Sequence, residues 1–352
     1  MRPAIFAFAF AFIVIASTVI TRAQQSPFTA AAPQVLSDSA ALAQARQLLD
    51  KGEVERGLEA LKAIEARNPK LQGLAREFGV AYYREADYVQ AAAYLEPVTA
   101  ADPNDKEAVQ LLGLSYFFLG KPKEAIPLLQ RVQSWYPRAN VDAAYVLGVS
   151  YIQTMNYEQA RQAFAGMYGV PTDSAASHLF LARMLLRQGF DPVAEQEAQK
   201  ATAIDPKLPL AHYLLGELYI FKSRIPEAIK ELEAELALNP GHAPTYYRLA
   251  DAYSRVMRWD DAERLLQRSL WLDATASGPY ILMAKVLLKK NEPTLAVRSL
   301  NRALSMDPNN YVGHYLLGQA YRGLGKTAEA ERELQLSEKL QAAQGRSQAE
   351  LH

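Results

Sequence analysis

The sequence predicts an all-α protein in which antiparallel helix pairs stack along one line, and three recurring features carry this prediction. A small residue recurs at intervals of 34 positions, with one interval of 35, at Ala45, Gly79, Gly113, Gly148, Ala182, Gly216, Ala250, Ala284 and Gly318. A second small residue follows each of them 12 positions later, from Gly57 to Ala330. An Asn-Pro or Asp-Pro dipeptide closes five of the units, because the residue before a proline disfavours the helical conformation.

The clearest unit is Pro209–His242, whose first half carries an amphipathic helical stripe. The stripe lies at i, i+3, i+4 and i+7 and consists of His212, Leu215, Gly216 and Tyr219. A glycine inside a helix costs about 1 kcal/mol relative to alanine. We therefore expect Gly216 to mark a point where another helix passes close by.

The period and the two small positions resemble the tetratricopeptide-repeat family, and nine such units cover Asp38–Gln344. The resemblance implies a solenoid, a right-handed superhelix of antiparallel helix pairs whose first helices line a concave groove. Family members commonly hold a peptide or a partner helix in that groove. The resemblance therefore implies a scaffold that binds a protein or peptide partner. No separate catalytic domain fits outside Asp38–Gln344, so no enzyme activity is expected.

The N-terminal segment Met1–Ala23 has the features of a secretory signal peptide. Arg2 precedes the uncharged apolar run Ala4–Ile20, and Thr21-Arg22-Ala23 offers small residues for cleavage before Gln24. This predicts a periplasmic or secreted protein that begins with a flexible linker over residues 24–37. The alternative is an uncleaved inner-membrane anchor, because the run is close to the shortest length that spans a bilayer.

The first four repeats contain the irregular positions. Asp38 is a good N-cap residue for the first helix. Pro97 and Pro127 fall inside predicted second helices, where a proline removes a hydrogen bond and bends the helix. Repeat four is the least regular, because Gly166 weakens its second helix and Pro171 closes it one residue early.

Repeats five to eight, over Ala175–Asn310, follow the pattern closely. Repeat nine, Tyr311–Gln344, ends in a helix that is polar on most of its surface, as expected for the solvent-facing end of a solenoid. Gly345–His352 is predicted to be a disordered tail.

Several kinds of chemistry are not supported. Absence of cysteine excludes disulfides, and balanced charge, with 38 basic and 38 acidic residues, argues against broad nucleic-acid binding. Ala320–Thr327 fits a relaxed phosphate-binding loop, but a predicted helix precedes it and Gly325 falls at an inter-helix turn. His178, His212 and His314 share one repeat position, which favours packing over metal binding. No metal or cofactor is predicted.

The predicted binding site is a stripe on the first helices, one position beyond the core stripe. Its members are Leu114, Phe117, Tyr145, Val149, Ile152, Arg183, Leu186, Arg187, Tyr213, Ile220, Tyr247, Arg255, Lys285 and Lys289. An exposed stripe of this kind would suit an amphipathic or extended segment that carries apolar anchors and nearby acidic residues.

Two alternatives stay open for these residues. In the first, their apolar members fill the space between adjacent first helices instead of facing a partner. In the second, exposed tyrosines bind a cell-envelope polymer or a carbohydrate. Membrane contact is expected only through an uncleaved N-terminal segment.

Overall fold

The computed structural model describes residues 37–137, 141–189 and 191–349, and the regular structure in those ranges is entirely α-helical. The first helices of the pairs are α1 (Asp38–Asp50), α3 (Leu74–Arg84), α5 (Lys106–Phe118), α7 (Val141–Gln153), α9 (Ala175–Arg187), α11 (Ala211–Phe221), α13 (Ala243–Arg255), α15 (Ser277–Lys289) and α17 (Tyr311–Gly323). The second helices are α2 (Val54–Glu65), α4 (Tyr88–Ala101), α6 (Pro122–Trp135), α8 (Tyr157–Tyr168), α10 (Asp191–Ile204), α12 (Ile225–Leu238), α14 (Trp259–Leu272), α16 (Pro293–Met306) and α18 (Thr327–Ala349).

The two helices of each pair are joined by a turn in which one residue adopts the left-handed conformation. In chain order these residues are Gly52, Ala86, Gly120, Met155, Gly189, Ser223, Met257, Asn291 and Gly325. They follow the period of the sequence repeat, so the same reversal recurs in every pair. Gly325 has φ 73° and lies two residues after the end of α17, which confirms that Ala320–Thr327 contains an inter-helix turn and lacks the strand that a phosphate-binding loop requires.

The small residues allow the two helices of a pair to cross closely. A Cβ atom added to Gly216 would lie 2.5 Å from Cγ of Leu232, and one added to Gly148 would lie 2.5 Å from Cε1 of Phe164. Leu232 and Phe164 are both fully buried. The close crossing predicted from the glycine in the first helix is thus confirmed, with a large second-helix side chain filling the space that the missing Cβ leaves.

Neighbouring pairs stack so that consecutive helices pack along the whole described chain. Adjacent first helices also approach one another at most junctions, whereas second helices do not approach each other comparably within the described residues. The array therefore curves with the first helices on its inner side. A continuous core cluster extends from Val109 in α5 to Ala320 in α17, and two smaller clusters occupy the first repeats.

Repeat four has the short second helix that its glycines predict. α8 ends at Tyr168, and Gly169, with φ 67°, continues the chain in the left-handed conformation. Arg161 bridges from α8 to the following loop, where it donates to the carbonyl of Thr172 at 3.2 Å and to Asp173 at 2.7 Å. The junction between repeats four and five is therefore held by a side chain as well as by helix packing.

The two ends of the chain differ in what the structure describes. The predicted signal peptide and nearly all of the linker lie outside the described residues. At the other end, α18 continues past Gln344 to Ala349, into the segment predicted to be a tail. No proline interrupts this stretch, so the helix can continue.

Among the described helices, none combines the length and the apolar character needed to cross a membrane.

Candidate ligand groove

Four of the predicted groove residues are buried in the core. Leu114 is 6% exposed, Val149 3%, Ile152 0% and Ile220 5%, and all four belong to the main core cluster. The prediction that these side chains face a partner is corrected by their burial. Adjacent first helices approach so closely that these side chains fill the space between the helices, which is the first alternative stated above.

The other predicted residues reach the surface of the first helices. The basic members are exposed and comprise Arg183, Arg187, Arg255, Lys285 and Lys289. The apolar and aromatic members are half-buried and comprise Phe117, Tyr145, Leu186, Tyr213 and Tyr247. These residues leave a surface that is available to a ligand, and whether they bind one remains a prediction.

The middle of the groove contains a closed polar network around Tyr213. Its hydroxyl donates to Glu217 at 2.8 Å, and Arg248 of α13 donates to the same carboxylate at 2.8 Å. Burial and then the nearby Glu217 carboxylate raise the pKa of Tyr213 to about 12. The phenol therefore stays protonated near neutral pH. The guanidinium of Arg248 balances the charge of the Glu217 carboxylate, so this carboxylate already has its partners within the protein.

A hollow lies between α13, α15 and α17, and we call it the C-terminal hollow. Its volume is about 550 Å³. Its walls are formed mainly by Tyr247, Ile281, Leu288, Val312 and Tyr315, with Lys285 and Lys289 also lining it. Tyr315 is 47% exposed and Val312 39%, so the apolar wall is open to solvent.

The charges around the C-terminal hollow are unbalanced. No ion pair involves Lys285 or Lys289 among the described residues. α15 and α17 contain no aspartate or glutamate, and Asp251 of α13 is paired with Arg255 at 3.1 Å. Burial raises the pKa of Tyr247, so its hydroxyl adds no negative charge near neutral pH. The hollow is thus apolar and bordered by uncompensated positive charge.

Sequence reasoning missed the part of the hollow that α17 contributes. Val312, Tyr315 and Gln319 all line it. The repeat period could have found them, since Tyr315 lies 34 positions after Ile281 and Gln319 lies 34 positions after Lys285. The predicted stripe ended one repeat too early.

The N-terminal part of the same surface, formed by α1, α3 and α5, is closed by ion pairs, and we call it the N-terminal ladder. Glu77 is 2% exposed and accepts from Arg46 at 3.0 Å and from Arg76 at 3.1 Å. Arg76 also donates to Asp105 at 2.7 Å and to Glu107 at 2.6 Å. Burial is the largest single influence on Asp105 and opposes its ionisation, but the hydrogen bond and charge of Arg76, together with backbone hydrogen bonds, outweigh burial and lower the pKa of Asp105.

The three histidines at a shared repeat position link the two helices of their pairs. In each case Nδ1 lies 2.6 Å from a second-helix carboxylate, and the pairs are His178–Glu197, His212–Glu231 and His314–Glu333. Nε2 of His212 lies 3.0 Å from the carbonyl of Pro206, and Nε2 of His314 lies 2.9 Å from that of Pro308. Nε2 of His178 instead lies 3.0 Å from Arg161. No cluster suited to holding a metal ion occurs within the described ranges.

Several solved structures of other proteins are similar to parts of this chain. The chain is similar to the solved structure of Pseudomonas aeruginosa pilF, with 22% identity, a TM-score of 0.47, and coverage of 58% of this chain and 97% of that chain. It is similar to MamA from Desulfovibrio magneticus RS-1, with 17% identity, a TM-score of 0.45, and coverage of 49% and 97%. It is also similar to YrrB, a TPR protein described as having an unusual peptide-binding site, with 18% identity, a TM-score of 0.44, and coverage of 53% of this chain and 94% of that chain.

Family models give the assignment. The model described as anaphase-promoting complex, cyclosome, subunit 3 matches residues 84–167. Two models described as tetratricopeptide repeat match residues 145–209 and 281–346, and residues 245–280. The comparison with curated proteins gave no match. The repeat models and the helix pairs with their shared turn geometry agree, and the chain belongs to the tetratricopeptide-repeat family.

Proposed function

We propose that the protein is an exported, noncatalytic scaffold that binds a peptide segment of a partner protein along its first helices, with the main contact in the C-terminal hollow. The observation that carries this proposal is the hollow of about 550 Å³, with apolar walls from three successive first helices. A volume of this size falls within the range of about 300–1,000 Å³ that ligand pockets usually occupy.

The character of the walls supports a protein ligand. Tetratricopeptide-repeat folds generally bind protein or peptide partners. Tyr247 and Tyr315 offer large apolar faces with polar tips, a combination that is enriched at interaction hot spots. The buried central residues Val149, Ile152 and Ile220 contribute rigidity instead of contacts, because they fix the spacing of the first helices.

Binding is tested by removing both tyrosine faces from the hollow. We expect Tyr247→Ala combined with Tyr315→Ala to weaken binding of a partner that has been cross-linked to the protein in its native envelope. Isothermal titration calorimetry with the isolated partner measures the loss. Trp271→Ala is the matched control, because Trp271 is 72% exposed and does not line the hollow. Unchanged affinity in a folded double variant would remove the hollow from the mechanism.

Two further outcomes decide the remaining parts of the proposal. Export rests on Arg2, the apolar run and the cleavage-site residues after it. N-terminal sequencing should give a first residue at or near Gln24, whereas an intact Met1 in the membrane fraction would favour the anchor. Binding to a glycan array without any cross-linked protein would favour the polymer or carbohydrate alternative.

A further inference from the structure

Lys285 and Lys289 are two like charges that the protein leaves without an internal partner. They lie one helical turn apart on α15, both are exposed, and both line the C-terminal hollow. Like charges at i and i+4 destabilise a helix. Within the described residues no carboxylate pairs with either side chain.

The adjacent Lys290, in contrast, forms ion pairs with carboxylates of the same chain. Its ammonium lies 2.7 Å from Asp260 and 2.6 Å from Glu263, both of the preceding second helix α14. The two uncompensated lysines are therefore confined to the side of α15 that faces the hollow. This difference between neighbouring residues is local, and it does not follow from the overall charge, which is balanced at 38 basic and 38 acidic residues.

We infer that the segment bound in the C-terminal hollow is acidic, with a large apolar side chain in the hollow and two carboxylates that pair with Lys285 and Lys289. This inference rests on the proposed function and specifies its partner. Four residues of a helix rise about 6 Å. Two carboxylates match this spacing at i and i+4 of a helical ligand. They also match it at i and i+2 of an extended one, which rises about 6.6 Å over two residues.

Charge and shape together favour a partner protein over other anionic ligands. A nucleic acid or an anionic membrane binds through many basic groups on an accessible face. Here the unpaired cations flank a concave apolar surface formed by Tyr247, Ile281 and Tyr315. A ligand that gains from both features must carry an apolar group between or beside its negative charges. An acidic peptide segment with an aromatic or large aliphatic residue meets this requirement.

The test is a selection of displayed random peptides on the full chain, followed by counter-selection on the Lys285→Gln, Lys289→Gln protein. We expect the enriched peptides to place acidic residues beside an aromatic or large aliphatic residue. A selected peptide, labelled with fluorescein, should bind the double variant roughly three- to thirtyfold more weakly in anisotropy titrations, and added salt should narrow the difference.

Two further variants make the test specific. Lys230→Gln combined with Lys339→Gln removes the same charge from exposed positions outside the hollow, and it should leave the peptide affinity unchanged. Lys285→Glu combined with Lys289→Glu should reject the acidic peptide and accept a copy in which lysine replaces each acidic residue. If the peptide were held only by general electrostatic attraction, both pairs of lysine substitutions would weaken its binding equally, and that result would overturn the inference.

The outcomes separate this inference from the proposed function. Enriched peptides that lack acidic residues, yet lose binding with Tyr247→Ala and Tyr315→Ala, would overturn the inference and leave the groove function intact. Failure to enrich any peptide, or binding that neither set of variants weakens, would overturn both. Self-association in sedimentation velocity that Lys285→Gln with Lys289→Gln abolishes would identify a second copy as the occupant and overturn the inference. Stronger dependence on these lysines for anionic vesicles or nucleic acid than for the peptide would overturn it as well.

Discussion

The N-terminal ladder and the C-terminal hollow occupy the same side of the solenoid, but they treat charge in opposite ways. In the ladder, Glu77 is nearly fully buried between Arg46 and Arg76. In the hollow, Lys285 and Lys289 border apolar walls with no carboxylate on α15 or α17. The first surface pairs its charges within the chain, whereas the second leaves Lys285 and Lys289 without a paired carboxylate among the described residues.

A single repeat position explains much of this difference. Arg46 and Lys285 each directly follow the small residue of their first helix. The residue that lies two positions before the small residue of the next repeat is Glu77 in the first case and Leu316 in the second. The repeat therefore determines where a side chain lies, and the neighbouring repeat determines whether its charge is compensated.

Disrupting the scaffold that joins the two regions should have the largest effect. Gly216 belongs to α11, between the ladder and the hollow, and Gly216→Leu would place a large side chain against Leu232. Overpacking of this kind typically costs about 1–3 kcal/mol or more. Urea unfolding followed by circular dichroism should show the loss. Gly166→Ala is the control, since the nearest atom to its added Cβ is 3.6 Å away, and it should not destabilise. A wild-type midpoint for Gly216→Leu would contradict the close crossing.

Removing the buried carboxylate of the ladder should affect the N-terminal region alone. Glu77→Ala leaves two arginines without this acceptor, and the loss of hydrogen bonds to a buried charged group costs about 1–3 kcal/mol. Hydrogen exchange should show faster exchange in α1 and α3, with α15 and α17 unchanged. Glu59→Ala removes an exposed carboxylate of α2 and serves as the control. Equal loss of protection at both ends would show that the two regions are not independent.

The next largest effect is expected from acid, which should destabilise the N-terminal ladder more than the C-terminal hollow. The pKa of Asp105 is lower in the folded protein than in the unfolded chain, so its contribution is present above the unfolded value and is lost as the pH falls through the folded value. Below pH of about 4, α3 and α5 should lose amide protection before α15 and α17, which carry no carboxylates. Asp105→Asn should reduce this pH dependence, and an identical acid profile in the variant would show that another group is responsible.

The smallest effect is expected from the lysines of the hollow. Lys285→Gln with Lys289→Gln should change the free energy of unfolding by no more than about 0.5 kcal/mol, because both side chains are exposed and unpaired. The urea midpoint measures the change. A loss of unfolding free energy comparable to that of Glu77→Ala would mean that these lysines have structural partners. The two regions would then not differ in how their charges are paired.

The fold was predictable because it depends on small residues whose period is visible in the sequence. Gly216 and Gly148 indicated close helix crossings, and Gly325 indicated a turn, and all three are confirmed. Those features are local to one helix pair. A glycine at a close helix crossing or at a left-handed turn can be recognised in the sequence of one repeat, without knowledge of how the repeats pack on each other.

The candidate site was predicted less completely, because it depends on distances between repeats. Val149 and Ile152 point along the predicted stripe, but helical periodicity gives the direction of a side chain and not the gap between adjacent first helices. That gap decides whether a residue is core or surface. The pairing of Arg46 with Glu77 depends on the same spacing between repeats.

The histidine links require opposite roles from the same ring atom. A guanidinium only donates, so Nε2 of His178 accepts a hydrogen bond from Arg161. A carbonyl only accepts, so Nε2 of His212 and of His314 donates to the carbonyls of Pro206 and Pro308. One repeat position therefore holds an Nε2 atom without a hydrogen in repeat five and Nε2 atoms with a hydrogen in repeats six and nine, and ¹⁵N chemical shifts of the imidazole nitrogens would distinguish the two kinds in one spectrum.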